Sequence, residues 1–188
     1  MSGIDLRNLT NLTKLFTKVF DKLSDNISGV KVNLDLSSWN VTNVTNLSMM
    51  FYECFEINSL DLSGWNVSNV KDMSIMFQDC RMLKELDLSD WDTSNVTDMS
   101  CMFKRCYLLK KLYLTRWNTS NVTDMTSMFY GCTSLQFLDI ANFNGDSLLL
   151  NDNITYSIFD GLNIKELKIS KEFFNTLYGY KTDSIKII

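Results

Sequence analysis

A 26-residue period, a strand-like alternation early in each period and a helix-like spacing later in it predict an α/β chain. The expected architecture is a solenoid with a parallel β-sheet on one face, short helices on the other, and atypical capping segments. Three columns carry the period: Trp39, Trp65, Trp91 and Trp117; Phe51, Phe77, Phe103 and Phe129; and Cys54, Cys80, Cys106 and Cys132. Phe143 continues the first of them. Four full units occupy 31–134, and Leu135 to Ile140 begin a fifth. Such a period falls within the roughly 20 to 29 residues of leucine-rich repeats.

The third copy, LKELDLSDWDTSNVTDMSCMFKRCYL from Leu83 to Leu108, shows how one unit is built. Its opening, Leu83-x-x-Leu86-x-Leu88-x-x-Trp91, has the leucine-rich form, with Trp where Asn or Cys is usual. Leu86-Asp87-Leu88 alternates as a short strand does, burying the leucines and exposing the aspartate. Equivalent leucines in neighbouring copies are then expected about 4.8 Å apart in a parallel sheet. Met99, Met102, Phe103 and Cys106 fall at i, i+3, i+4 and i+7, which predicts a short helix capped by Thr97 or Asp98. A single unit has no second layer to cover its apolar face, so the copies must stack.

The ends depart from the pattern. Residues 1–30 are expected to form an N-terminal helical cap, because Phe16, Val19, Phe20 and Leu23 repeat the helical spacing over about Leu9 to Leu23. Residues 31–143 form the repeat array. Residues 144–188 hold a degenerate repeat, Ile158-Phe159 with Ile164-x-x-Leu167-x-Ile169, and a C-terminal cap in which Ile185 and Ile187 mark a final strand.

Composition excludes several function classes. At 188 residues, 45% apolar and 21% charged, the chain is globular. Eighteen basic against 22 acidic side chains leave −4, which offers no field for a phosphate backbone, so no nucleic-acid partner is expected. The absence of histidine removes the usual general base and imidazole metal ligand. No apolar run approaches the roughly 18 residues of a membrane helix, so no membrane insertion is expected. The opening Met1 to Arg7 lacks a basic stretch followed by an apolar one, so neither export nor anchoring is expected from it.

The lines LDLSGWNVSNVKDMSIMFQDC and LDLSDWDTSNVTDMSCMFKRC resemble the repeats of the BspA-like family of bacterial leucine-rich-repeat surface proteins, found in many mycoplasma and other bacterial surface lipoproteins. The likeness covers about 31–143. It implies a non-enzymatic binding scaffold displayed outside the cell and associated with adhesion to host or neighbouring-cell proteins.

Most repeating polar residues have a structural explanation. The cysteine ladder shares a face with Met99 and Phe103 and is expected to pack as core rather than to form disulfides or a metal site. Cys101, in a column with Met49, Ile75 and Ser127, is expected to be partly exposed. Asp35, Asp61, Asp87 and Asp139 make an acidic column on the outer strand face, read as a hydrogen-bonded ladder in preference to a calcium site. Asn43, Asn69, Asn95 and Asn121 recur in sequons because the turn recurs, and should bond neighbouring backbone. No cofactor or metal is expected.

Breaks in the pattern are the better site candidates, since stacking constrains the columns and leaves the rest free. The fourth unit replaces the strand aspartate with Tyr113, brings Lys111 before it, and adds Thr115 and Arg116 after it. The next places Phe137 in the column of Asn33, Ser59, Glu85 and Lys111. Tyr113 and Phe137 as aromatic anchors, rimmed by Lys111, Thr115 and Arg116, have the composition of an interface hot spot. The expected function is therefore protein recognition through the exposed sheet face, without catalysis. An intracellular structural or assembly scaffold is the alternative. A hydrolase built on Asp61 and Asp87 is a remote one, because identical environments do not make an acid and a base.

Overall fold

The computed structural model describes residues 6, 8–17, 31–148 and 158–178. Six short strands follow in order: β1 (Val32–Asp35), β2 (Ile57–Asp61), β3 (Glu85–Asp87), β4 (Lys111–Tyr113), β5 (Phe137–Ile140) and β6 (Glu166–Ile169). One helix, α1 (Lys171–Tyr178), ends the described chain. Leu86 is buried between exposed Glu85 and Asp87, and Leu112 between exposed Lys111 and Tyr113, so the alternation sets the faces as the sequence predicts.

All pairing is parallel, with equivalent residues opposed. Leu34 faces Leu60 and Asp35 faces Asp61; Leu86 faces Leu112; Leu138 faces Leu167. The expected single sheet is instead three two-stranded ones, β1–β2, β3–β4 and β5–β6. The tryptophan column differs between the two kinds of joint. At bonded joints the indole reaches the preceding unit: Trp65 Nε1 donates to the Leu36 carbonyl and Trp117 Nε1 to the Leu88 carbonyl, both at 2.9 Å. At the unbonded joints the rings lie flat on each other, Trp65 on Trp91 at 6.1 Å and Trp117 on Phe143 at 6.3 Å.

The short helices expected on the opposite face are not formed. Each of those segments is a pair of turns, with Leu47 O accepting from Met50 N and Phe51 O from Cys54 N, and the same in later copies. The third residue of each turn has positive φ, the signature of type II. One column is Met49, Ile75, Cys101 and Ser127, and the other is Glu53, Asp79, Arg105 and Gly131. Helical bonds are displaced because alternate amides donate to the next copy instead: Met49 N to Ser74 O at 3.0 Å, Phe51 N to Met76 O at 2.9 Å, Glu53 N to Gln78 O at 2.9 Å. The i, i+3, i+4 spacing survives because two successive turns also bring those side chains to one side.

A second ladder joins the copies without interruption. Parallel bridges link Asn11, Asn46, Asp72, Asp98 and Asp124 in succession. Each of these side chains also accepts the amide two residues on, as Asp98 Oδ1 does from Ser100 N at 2.8 Å. Between the two ladders lies the core, whose spine is a stack of six rings, Phe16, Phe51, Phe77, Phe103, Phe129 and Phe159. Their centroids are 5.3 to 6.1 Å apart and their planes within 7° of parallel. Fully burying a side chain of this size contributes about 1.5–3 kcal/mol.

The end segments are only partly described. Over Leu9 to Leu23, expected as a cap helix, Asn11 makes a bridge and 13–17 are turns, with Phe16 starting the ring stack; Val19, Phe20 and Leu23 lie outside the described residues. Ile164, Leu167 and Ile169 supply β6 and its approach, while Ile185 and Ile187 also lie outside. Phe173 of α1 meets Phe143 edge-on at 5.8 Å.

Left-handed backbone costs an L-residue roughly 1–2 kcal/mol, and glycine is exempt. Gly131 occupies such a position, where the preceding copy has the exposed Arg105 at φ 59°. Arg105→Gly is therefore expected to raise unfolding stability by about 1 kcal/mol, and Gly131→Val to lower it by about the same amount or more. Urea denaturation of both variants measures the two changes.

Candidate functional site

The outer strand face is built of the residues that alternate with the buried leucines. Its acidic column is ordered by local bonds, since each aspartate accepts the amide two residues on, from Ser37, Ser63, Ser89 and Ala141. Asp35 Oδ1 accepts the Ser37 hydroxyl at 2.7 Å and amide at 3.0 Å, which hold its carboxyl below the usual range. Asp87 Oδ1 accepts the Ser89 hydroxyl at 2.6 Å and amide at 3.0 Å. Asp61 Oδ1 accepts the Ser63 amide at 3.0 Å. Asp139 differs, with Lys168 Nζ 3.5 Å from its Oδ2. Among the described residues no group of three or more carboxylates and thiols is placed to hold a metal ion.

Over this face lie two clefts that share Leu60, Asp61 and Asp87. The larger, about 430 Å³, spans β1 to β3 and is lined also by Asn33, Asp35, Ser59 and Glu85. The smaller, about 160 Å³, opens at the unbonded joint between β2 and β3, among Leu62, Ser63, Leu88, Ser89, Asp90 and Trp91. Trp91 is 3% exposed, yet its Nε1 has no hydrogen-bond partner. A buried donor left unbonded costs about 1–3 kcal/mol. Sequence reasoning missed this position, because Trp91 is indistinguishable there from Trp65 and Trp117.

The residues singled out in the fourth unit all reach the surface. Lys111 and Tyr113 stand on the outer face of β4, opposite Glu85 and Asp87. Lys111 Nζ is 3.3 Å from Glu85 Oε2, and Arg116 Nη1 is 3.1 Å from Asp90 Oδ1. Thr115 is exposed, and its carbonyl accepts from Asn142 Nδ2 at 2.5 Å. Phe137, on β5, lies under the Lys168 ammonium at 5.3 Å. Tyr113 and Phe137 are 36% and 38% exposed, and their rings do not stack on each other. Tyr107, Leu108 and Tyr130 are also exposed, on the turn segments rather than on the strands.

The asparagine and cysteine columns are structural. Asn69, Asn95 and Asn121 donate from Nδ2 to the Thr42, Ser68 and Ser94 carbonyls of the preceding copy at 2.7 to 2.8 Å. Cys54, Cys80, Cys106 and Cys132 are buried free thiols, each donating to a phenylalanine carbonyl at 3.0 to 3.2 Å. Burial pushes the Cys80 and Cys106 thiols far up and Cys132 to about 12. Cys101 is half-buried, and desolvation raises it as well.

A family profile described as "Mycoplasma protein of unknown function, DUF285" matches the chain twice, over residues 2–85 and 82–163. No curated protein and no solved structure matches it.

The raised thiols have a consequence for alkaline stability. Folded, these cysteines hold their protons above the ordinary value of 9.0, whereas unfolded they would ionise there. Their contribution is full below pH 9 and is lost as pH rises from about 9 towards 12. Urea midpoints are therefore expected to fall over that window, and Cys132→Ala to fall less steeply with pH than wild type. Iodoacetamide at mildly alkaline pH should label Cys101 first among the five cysteines in the native protein, and the other four only after unfolding.

Proposed function

We propose, from the premise that this chain belongs to the DUF285 family of mycoplasma proteins, that it is a non-enzymatic protein-recognition module. In this reading it is a BspA-like leucine-rich-repeat solenoid, displayed at the bacterial surface, that adheres to a protein of a host or neighbouring cell. Support for the solenoid comes from the regular bonding of each copy to the next, including the uninterrupted bridges from Asn11 to Asp124.

The observation that carries the recognition reading is the exposure of apolar side chains along the stretch from the end of the third unit to the start of the fifth. Of seven large exposed hydrophobics among the described residues, five lie between Tyr107 and Phe137. Tyr113 and Phe137 act as anchors that a partner would desolvate, and Lys111, Thr115, Arg116 and Lys168 supply the polar rim. The pairs Lys111–Glu85 and Arg116–Asp90 are surface ion pairs, worth little to stability, so both cations remain available to a partner's carboxylates. Catalysis has little to draw on in a chain without histidine whose Asp35, Asp61 and Asp87 each bond their own serine.

A second reading, an assembly scaffold inside the cell, is favoured by one observation: all five cysteines are free. Cleavage by added protease on intact cells separates the two, because only a displayed chain is cut.

Lys111→Ser with Tyr113→Asp returns the fourth unit to the pattern of its neighbours. Affinity capture from host-cell membranes is expected to retain a protein on the wild type and to lose it by about tenfold or more on the double variant, with circular dichroism unchanged. Equal retention by both would remove the patch as the recognition surface.

A further inference from the structure

We infer that the turn side of the second to fourth units, at Arg81, Lys104, Arg105, Tyr107, Leu108 and Tyr130, is a docking surface for an acidic protein segment that also carries apolar side chains. The starting point is the distribution of charge. The chain as a whole stands at −4, yet between Asp98 and Asp124 there is no acidic side chain against five basic ones. Of these, Lys111 and Arg116 are paired on the strand side with Glu85 and Asp90. Lys104 and Arg105 stand on the turn segment instead. The column of Arg105 reads Glu53, Asp79, Arg105 and Gly131, so the sign of its charge reverses at the third unit.

One buried carboxylate organises the cations. Asp79 Oδ1 accepts from Arg81 Nε at 3.1 Å and from Arg81 Nη2 at 2.9 Å, while Arg105 Nη1 of the following copy lies 3.9 Å from Asp79 Oδ2. Two guanidinium groups thus share a single negative charge, which leaves a net positive charge on two half-exposed side chains. Arg81 is held in a second way, within the column Phe55, Arg81 and Tyr107. Its guanidinium carbon lies 4.4 Å from the Phe55 ring centroid and 5.9 Å from that of Tyr107. A cation fixed by a carboxylate and two rings has little rotamer freedom left to lose, so an incoming carboxylate meets it at a lower ordering cost. Lys104 adds a further cation, its Nζ 5.5 Å from the Tyr130 ring centroid.

Apolar surface is interleaved with this charge, since Tyr107, Leu108 and Tyr130 are between 36% and 38% exposed. A sulfated glycan would neutralise the cations and leave these side chains wet. A bilayer would need them to project, whereas each is more than half covered. A protein segment that mixes carboxylates with apolar side chains answers both features, because exposed aromatic and arginine side chains are the ones a partner's chain desolvates with most gain. This surface uses none of Lys111, Tyr113, Thr115, Arg116 and Phe137, so it stands or falls separately from the recognition surface on the strands.

Fluorescence anisotropy of labelled peptides titrated with the full chain tests this. A peptide of Glu-Glu-Leu repeats is expected to bind at about 100 µM or tighter, its Gln-Gln-Leu counterpart not to bind, and its Glu-Glu-Ser counterpart to bind severalfold more weakly. Lys104→Gln with Arg105→Gly gives the third unit the residues that Gln78 and Gly131 supply in its neighbours, and it leaves the bond between Asp79 and Arg81 in place. This double change should weaken binding of the Glu-Glu-Leu peptide by about tenfold. Lys71→Thr, which removes an exposed cation from another column, should leave it unchanged. The inference is overturned if the Glu-Glu-Leu peptide does not bind, or if the double variant binds it as wild type does. It is overturned as well if heparin fragments or phosphatidylglycerol vesicles bind more tightly than the peptide and lose that binding in the same variant.

Discussion

Register between copies is the constraint on which the rest of this molecule depends. Each unit spends alternate amides of its turn segment on the carbonyls of the following unit, at 2.7 to 3.0 Å through the central copies. A shift of one residue would turn every amide away from its acceptor and every side chain to the wrong face. The same offset superposes like on like, so that Phe16, Phe51, Phe77, Phe103, Phe129 and Phe159 meet as one parallel stack. Stability in such an array comes from interfaces between neighbours more than from any unit alone.

That constraint explains why strain is tolerated. Positive φ at Met49, Ile75 and Cys101 is unfavourable for residues with side chains of this kind, and most so for branched Ile75. Each such residue sends its amide to the next copy, Ile75 N reaching Ser100 O at 2.8 Å. In a helix the same amides would bond within the unit, and nothing would join one copy to another on that side. The cost is repeated per unit because the interface it creates is repeated as well.

The strand side is looser, and there the copies become unequal. Trp65 and Trp117 each bond the preceding unit through Nε1 and lie flat on the ring of the following one, whereas Trp91 stacks on Trp65 without an Nε1 bond. The outcome is one joint where Trp91 remains unbonded beneath an acidic cleft, and a separate aromatic and cationic surface at Tyr113 and Phe137. Two surfaces of different chemistry thus arise on one face from small departures within a regular repeat.

Much of this was legible in the chain itself. The period, the inward Leu86 and Leu112, the outward Lys111 and Tyr113, the burial of the cysteine column and the backbone role of Asn69, Asn95 and Asn121 all follow from spacing and residue type. Two features did not. Helical spacing at Met99, Met102, Phe103 and Cys106 is equally compatible with two successive turns, and the choice falls to inter-copy bonding, which a single unit's pattern does not encode. Likewise Trp65, Trp91 and Trp117 read as equivalents, and only their packing in three dimensions leaves one indole N–H without a partner. Sequence determined the repeat and its faces, because periodicity and burial are properties of one unit. Tertiary structure decided the turns and the open joint, because both depend on what the neighbouring copy offers as a hydrogen-bond partner.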